Sequence, residues 1–164
     1  MEHSAFEAEI LTLAQSVLDA CRARNWRPRN PAPGLVAGAL TAIAGSSDVI
    51  ERGFVPYSNE AKSELLGVPP ETIAAHGAIS AETAAAMAQG ALAGAPVDLA
   101  VSVTCIAGPG GATPTKPVGL VLSAVARRDG QCPTERRVCP GDRSQVRRAA
   151  LEVALRLLDR EARG

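Results

Sequence analysis

The stretch that most limits what this chain can fold into runs from Val97 to Arg127: an apolar run, a glycine-rich bend and a second apolar run. Val97 to Val103 is too short to span a membrane and is bounded by turn residues, so it reads as a core strand. Gly108-Pro109-Gly110-Gly111 then turns the chain, because glycine reaches positive φ without a Cβ clash and lets backbone come close to a ligand. Its amide N–H groups suit an anion, and bends of this kind also join strands in proteins that bind nothing there. No Gly-Lys-Ser/Thr closes the bend, so it is not a P-loop. Val118 to Arg127 reads as the second strand and Arg136-Arg137-Val138-Cys139 as a short third.

Helical patterns flank these strands. From Ala5 to Arg24, Ile10, Ala14, Val17 and Cys21 recur at helical spacing, with Leu11 and Leu18 beside them. Leu35 to Ile43 forms a short small-residue helix ended by Gly45-Ser46-Ser47. Val49-Ile50 and Gly53 to Tyr57 read as strand-like pieces. Ser58 caps a helix through Lys62, Pro69-Pro70-Glu71 starts another, and Ser80 opens an alanine-rich helix to about Ala93. Asp142-Arg-Ser-Gln145 is a capping-box start for a last helix whose Val146, Ala149, Ala150, Val153 and Leu157 share one face. Its arginines, and Arg127-Arg128, read as solvated surface, Arg147-Arg148 included. Helices on both sides of a strand cluster predict an α/β chain: a single three-layer α/β/α domain with a mixed sheet over residues 1–164.

Only 2% of the residues are aromatic against 46% hydrophobic, so the core must be built from Ala, Val, Leu and Ile. Seventeen basic and seventeen acidic residues cancel, which leaves no global field for nucleic acid or an anionic membrane. The acidic start Met1-Glu-His-Ser-Ala-Phe-Glu lacks the basic region of a signal peptide, so a cytoplasmic protein is expected. Cys21, Cys105, Cys132 and Cys139 include no CxxC pair, and His3 and His76 stand far apart. No metal site, disulfide framework or cofactor is expected.

Two stretches together resemble the CinA C-terminal domain family, whose characterised members are nicotinamide mononucleotide amidohydrolases. They are Ile43-Ala-Gly-Ser-Ser-Asp-Val-Ile-Glu-Arg-Gly-Phe-Val-Pro-Tyr-Ser-Asn-Glu-Ala-Lys62 and Val101-Ser-Val-Thr-Cys-Ile-Ala-Gly-Pro-Gly-Gly111 with Lys116-Pro-Val-Gly119. Ala75-His76-Gly77-Ala-Ile-Ser80 and Pro140-Gly141-Asp142-Arg143 extend the likeness along the chain. The resemblance implies hydrolysis of the carboxamide of a small-molecule nucleotide, nicotinamide mononucleotide, by a homodimer or higher homo-oligomer without cofactor or metal.

The same resemblance assigns catalytic roles to Tyr57 and Lys62. Read alone, Lys62 fits a solvated helix position and Tyr57 a core aromatic with a wet tip; a desolvated lysine can also take a proton from a hydroxyl nucleophile. Ser46, Arg52, Asn59 and Thr104 become candidates for substrate contact, with Ala107, Gly108, Gly110 and Gly111 supplying a wall of the pocket. Arg52 and Asn59 fit surface pairing and a helix start equally well. Cys105 and Ala112 stand where the family usually has glycine.

The family's nucleophile is a serine in a Glu-Ser-Cys-Thr-Gly-Gly motif, and here an ungapped match puts Arg29-Asn30-Pro31-Ala32-Pro33-Gly34 in its place. No serine lies between Ser16 and Ser46. Asn30, at the serine's position, carries a poorly nucleophilic carboxamide. Prolines in this segment also exclude a helix interior or a central strand. The stretch from Asn25 to Gly34 can be encoded as AAC TGG CGA CCG CGG AAT CCT GCA CCG GGT. Read two bases in, that DNA gives Leu-Ala-Thr-Ala-Glu-Ser-Cys-Thr-Gly. A pair of compensating frame changes therefore accounts for the lost motif, and resequencing this region tests it.

Overall fold

In the computed structural model, residues 6–26, 28–29 and 34–164 are described. The beginning of the expected first helix at Ala5, and Asn30 with Pro31, Ala32 and Pro33, lie outside them. Strands β2 (Leu99–Cys105), β3 (Leu120–Arg127) and β4 (Thr134–Val138) pair antiparallel, while β1 (Pro28–Arg29) lies parallel to Leu99 and Ala100 at the far edge. The sheet is thus mixed, in the order β1-β2-β3-β4. Pro28 sits on an edge strand, where a missing N–H costs the ladder least.

The period of two along β2 and β3 separates two helical layers. Leu99, Val101, Val103, Val121 and Val125 pack against α1 (Ala8–Ala23), α2 (Leu35–Thr41) and α6 (Arg143–Arg163). On the other face, Leu120, Leu122, Ala124 and Ala126 meet Ala84 and Ala88 of α5 (Ala81–Ala93), and Ala100 meets Leu66 of α3 (Asn59–Leu66). The seven-residue α4 (Pro70–His76) packs on α3 and α5. This is the expected α/β/α layering. Leu155, Leu157 and Leu158 of α6 are almost fully buried, each contributing roughly 1.5–3 kcal/mol relative to exposure.

Small residues allow the close packing. A Cβ on Gly90 of α5 would lie 1.6 Å from the Leu66 carbonyl oxygen, so α5 can cross the end of α3 only with glycine there. Polar residues inside β2 are matched by carbonyls: Ser102 Oγ donates to Ala84 O at 2.6 Å and Thr104 Oγ1 to Ala78 O at 3.0 Å.

The caps form as their sequences predict. Ser58 Oγ accepts from Ala61 N at 3.0 Å, Ser80 Oγ from Thr83 N at 3.1 Å, and Asp142 and Gln145 complete a reciprocal capping box. Several expectations shift. Val49 follows a 3-10 turn, Ser46–Asp48, instead of starting a strand; Arg22 clamps Asp48 at 2.9 and 3.0 Å and holds this turn against α1. Gly53 to Tyr57 runs as an irregular strap with only a bridge at Gly53, because Pro56 cannot donate to a ladder. Strand β3 begins at Leu120, not Val118: Gly119, at φ +90°, would place a Cβ 2.0 Å from the Cys139 carbonyl. Strand β4 covers residues 134–138 rather than 136–139.

In α6 the buried stripe runs through Val146, Ala150, Ala154 and Leu157, with Leu151, Leu155 and Leu158 beside it. Ala149 and Val153 are left half-buried at its margin. Arg127 is not solvated: its side chain is 12% exposed, pairs with Asp129 at 2.8 Å and Glu161 at 3.5 Å, and stacks on Trp26 at 5.5 Å. Among the described residues, no helix is long and apolar enough to cross a membrane.

Candidate active site

Because β1 pairs only with Leu99 and Ala100, the rest of that edge of β2 has no strand beside it among the described residues. A cavity of about 650 Å³ occupies the space, with Val103, Thr104 and Cys105 in its wall. The strap and α3 contribute Tyr57, Asn59 and Lys62, the loop before α5 contributes Ala78 and Ile79, and α6 contributes Arg143 and Arg147. Gly34, Leu35 and Val36 also line it, directly after the segment that holds Asn30.

Lys62 owes its position to the Ser58 cap. One turn into α3 its side chain is buried, at 6% exposure, and Nζ turns back to donate to Tyr57 O at 3.2 Å and Ser58 O at 3.4 Å. Two carbonyls replace part of the ammonium's hydration, and desolvation holds its pKa below the ordinary lysine value, with Glu60 opposing the shift. The solvated reading of Lys62 is therefore corrected. Tyr57 takes the opposite environment: its side chain is 84% exposed at the rim, so it is no core aromatic.

The remaining candidates divide. Thr104 and Ala107 line the cavity with Tyr57, Asn59 and Lys62. Gly108, Gly110 and Gly111 are not among the lining residues; Gly108 instead offers its carbonyl to Arg143 Nη1 at 3.0 Å. Ser46 is buried at the start of the 3-10 turn, away from the cavity wall. Arg52 is also off the wall and pairs with the neighbouring Glu51, Nε to Oε2 at 2.5 Å.

Arg143 and Arg147 are exposed, as expected of the α6 arginines, and both also line the cavity, which the sequence reading did not anticipate. Their i, i+4 spacing from the first residue after the Asp142 cap was the available signal, since it puts both on one side of the first turns. The pair Arg147-Arg148 is split by the helix. Arg148 is half-buried and held by Glu7 and Glu9, with Glu152 at 3.6 Å, while Arg147 is exposed and lines the cavity. Burial pushes the Cys105 thiol pKa up, and Arg143 and Arg147 oppose that shift.

The described lining residues include three cations and no carboxylate. Such a cavity suits a small molecule carrying an anionic group, with a lysine available for proton transfer beside it. Among the described residues no group of three or more His, Cys, Asp or Glu side chains is placed to hold a metal ion.

The family model for the CinA C-terminal domain matches residues 32–162. The nicotinamide-nucleotide amidohydrolase PncC of Escherichia coli strain K12 is 45% identical over 155 residues, which cover 93% of this chain and 94% of that protein. A CinA-like protein of Mycolicibacterium gilvum is 53% identical over 131 residues, 80% of this chain; the chain spans about a third, 31%, of that relative's length. Among solved structures, the competence/damage inducible protein CihA from Agrobacterium tumefaciens superposes with a TM-score of 0.90 at 42% identity, covering 94% of this chain and 96% of the other.

Proposed function

The chain belongs to the CinA C-terminal domain family, and on that premise we propose that residues 1–164 form one amidohydrolase-type domain whose pocket takes nicotinamide mononucleotide. The reaction of an intact site is hydrolysis of the carboxamide to nicotinate mononucleotide and ammonia. The observation that carries this reading is 45% identity to PncC over nearly both whole chains, combined with a cavity that holds Lys62, Arg143 and Arg147. The reading includes a cytoplasmic homodimer or higher homo-oligomer.

Each residue has a chemical task in this scheme. Arg143 and Arg147 hold the phosphate, which suits two guanidinium groups on adjacent turns; the carboxamide lies toward Lys62. Desolvated Lys62 takes the proton of a hydroxyl nucleophile, which adds to the carboxamide carbon. The C–N bond breaks, ammonia leaves with a proton returned through Lys62 or Tyr57, and water then hydrolyses the acyl intermediate. No step requires a metal or cofactor.

In the chain as written, the nucleophile's place belongs to Asn30, and the scheme stops before the first addition. Catalysis is therefore severely impaired while the pocket is retained. Asn30 equally favours a second reading, a noncatalytic nucleotide-binding or oligomeric scaffold. Ammonia release and calorimetry with nicotinamide mononucleotide separate the two. Turnover that appears when residues 29–33 are replaced by Glu-Ser-Cys-Thr-Gly supports the amidase reading. Saturable binding with no turnover in either form supports the scaffold, and the absence of binding in both forms rejects the mononucleotide pocket.

A further inference from the structure

Lys116 stands outside the cavity wall, yet it joins two segments that shape the wall. The glycine bend ends in a tight turn: Thr113 N donates to Lys116 O at 2.9 Å, and Lys116 N donates to Thr113 O at 3.2 Å and to Thr113 Oγ1 at 3.1 Å. This turn presents the Lys116 ammonium to the C-terminal end of α4, where Nζ donates to His76 O at 2.5 Å. Unsatisfied carbonyls at a helix end favour a cation there. Gly77 follows at φ +84°, and a Cβ on it would lie 2.7 Å from Lys116 Nζ, so the bond depends on glycine.

The segment held in this way is fastened at three further points. Gly77 O accepts from Ser80 Oγ at 3.0 Å and Thr83 Oγ1 at 2.7 Å, and Ala78 O accepts from Thr104 Oγ1 at 3.0 Å. Ala78, Ile79 and Thr104 all line the cavity. The far end of the bend is fixed by Arg143, itself a lining residue, through Gly108 O. Of these fastenings, only Lys116 ties the bend to the Ala78–Ile79 wall from outside the cavity. Its bond is also the most exposed to exchange with water.

We infer that Lys116 is a positioning residue: its bond to the His76 carbonyl holds the glycine bend and the Ala78–Ile79 wall as one unit, and so keeps the cavity in its ligand-binding shape. The ligand named in the test rests on the mononucleotide reading above; the tether itself does not.

The test compares wild type, Lys116→Met and Lys116→Arg by hydrogen exchange and by calorimetry with nicotinamide mononucleotide. Loss of one charge-assisted bond at a partly exposed site is expected to speed exchange across residues 77–80 and to weaken the mononucleotide about fivefold. Amides of α1 should keep their wild-type rates. Lys116→Arg, which can donate to the same carbonyl, should restore much of both effects. In the protein carrying Glu-Ser-Cys-Thr-Gly at residues 29–33, Lys116→Met should raise KM and leave kcat close to its starting value. Unchanged exchange at residues 77–80 in Lys116→Met overturns the tether, as does an equal rise in α1, which marks general destabilisation. If wild type binds no mononucleotide, the proposed ligand fails while the exchange result still decides the role of Lys116.

Discussion

The chain has only two lysines, and both donate to backbone carbonyls in segments that shape the same cavity. On the strap and α3, Lys62 is buried against the carbonyls of Tyr57 and Ser58, and desolvation depresses its pKa. On the glycine-bend side, Lys116 reaches the end of α4 from a partly exposed turn. The two contacts are chemically alike and differ in solvation. Burial lowers the pKa of the first ammonium and so fits it to proton transfer; the second holds two segments together.

The largest effect that would sharpen this contrast comes from supplying Lys62 with a nucleophile. Replacing residues 29–33 by Glu-Ser-Cys-Thr-Gly should raise ammonia release from nicotinamide mononucleotide by at least on the order of 10³-fold. Equal rates before and after would show that Lys62 acts without the serine. In that restored protein, Lys62→Ala should lower kcat by roughly 10²- to 10⁴-fold. The rate should rise with pH as Lys62 loses its proton, on a limb below the ordinary lysine range. A limb at the free-lysine position would show that burial does not tune Lys62.

Stability offers an independent check of the same burial. Folding lowers the Lys62 pKa, so the charged form is disfavoured in the native state, and the resulting cost is present below the folded pKa and relieved as pH rises through it toward the unfolded value. Lys62→Met should therefore raise the thermal midpoint at neutral pH, by roughly 2–4 °C for each kcal/mol regained. The gain should shrink toward alkaline pH. A gain independent of pH would point to packing alone.

A smaller effect is expected at the anion end. Arg143→Gln or Arg147→Gln should each weaken nicotinamide mononucleotide by roughly tenfold or more, the scale of one charge-assisted hydrogen bond, and leave nicotinamide riboside almost unaffected. Equal losses for both ligands would move the phosphate elsewhere. The smallest effect belongs to Tyr57→Phe. With the residue 84% exposed, its thermal stability should stay within about 0.5 kcal/mol of wild type. A fall in kcat without a change in stability would retain the phenol as a proton donor at the rim.

Much of the scaffold was legible because its signals are local or strictly periodic. The Ser58, Ser80 and Asp142 caps each needed only a side-chain oxygen and the backbone N–H three residues on, and all three form. The run at Val97 to Val103 reads as a core strand, and β2, which spans Leu99–Cys105, is buried along almost its whole length. The strap was misread because Val49-Ile50 and Gly53 to Tyr57 carry strand-like residues without a strand to pair with. Arg143 and Arg147 are solvated as their charge suggests, and only the tertiary structure reveals that this side of the helix start also borders a cavity.

The sequence by itself determined the layers, the caps and the family, since each follows from residue type and spacing along the chain. The tertiary structure decided which cations share the cavity, that Lys62 is buried while Tyr57 is exposed, and that Lys116 ties the glycine bend to the end of α4. Those outcomes depend on solvation and on contacts between segments distant along the chain, such as Lys116 with His76, 40 residues apart, and neither is encoded in any local pattern.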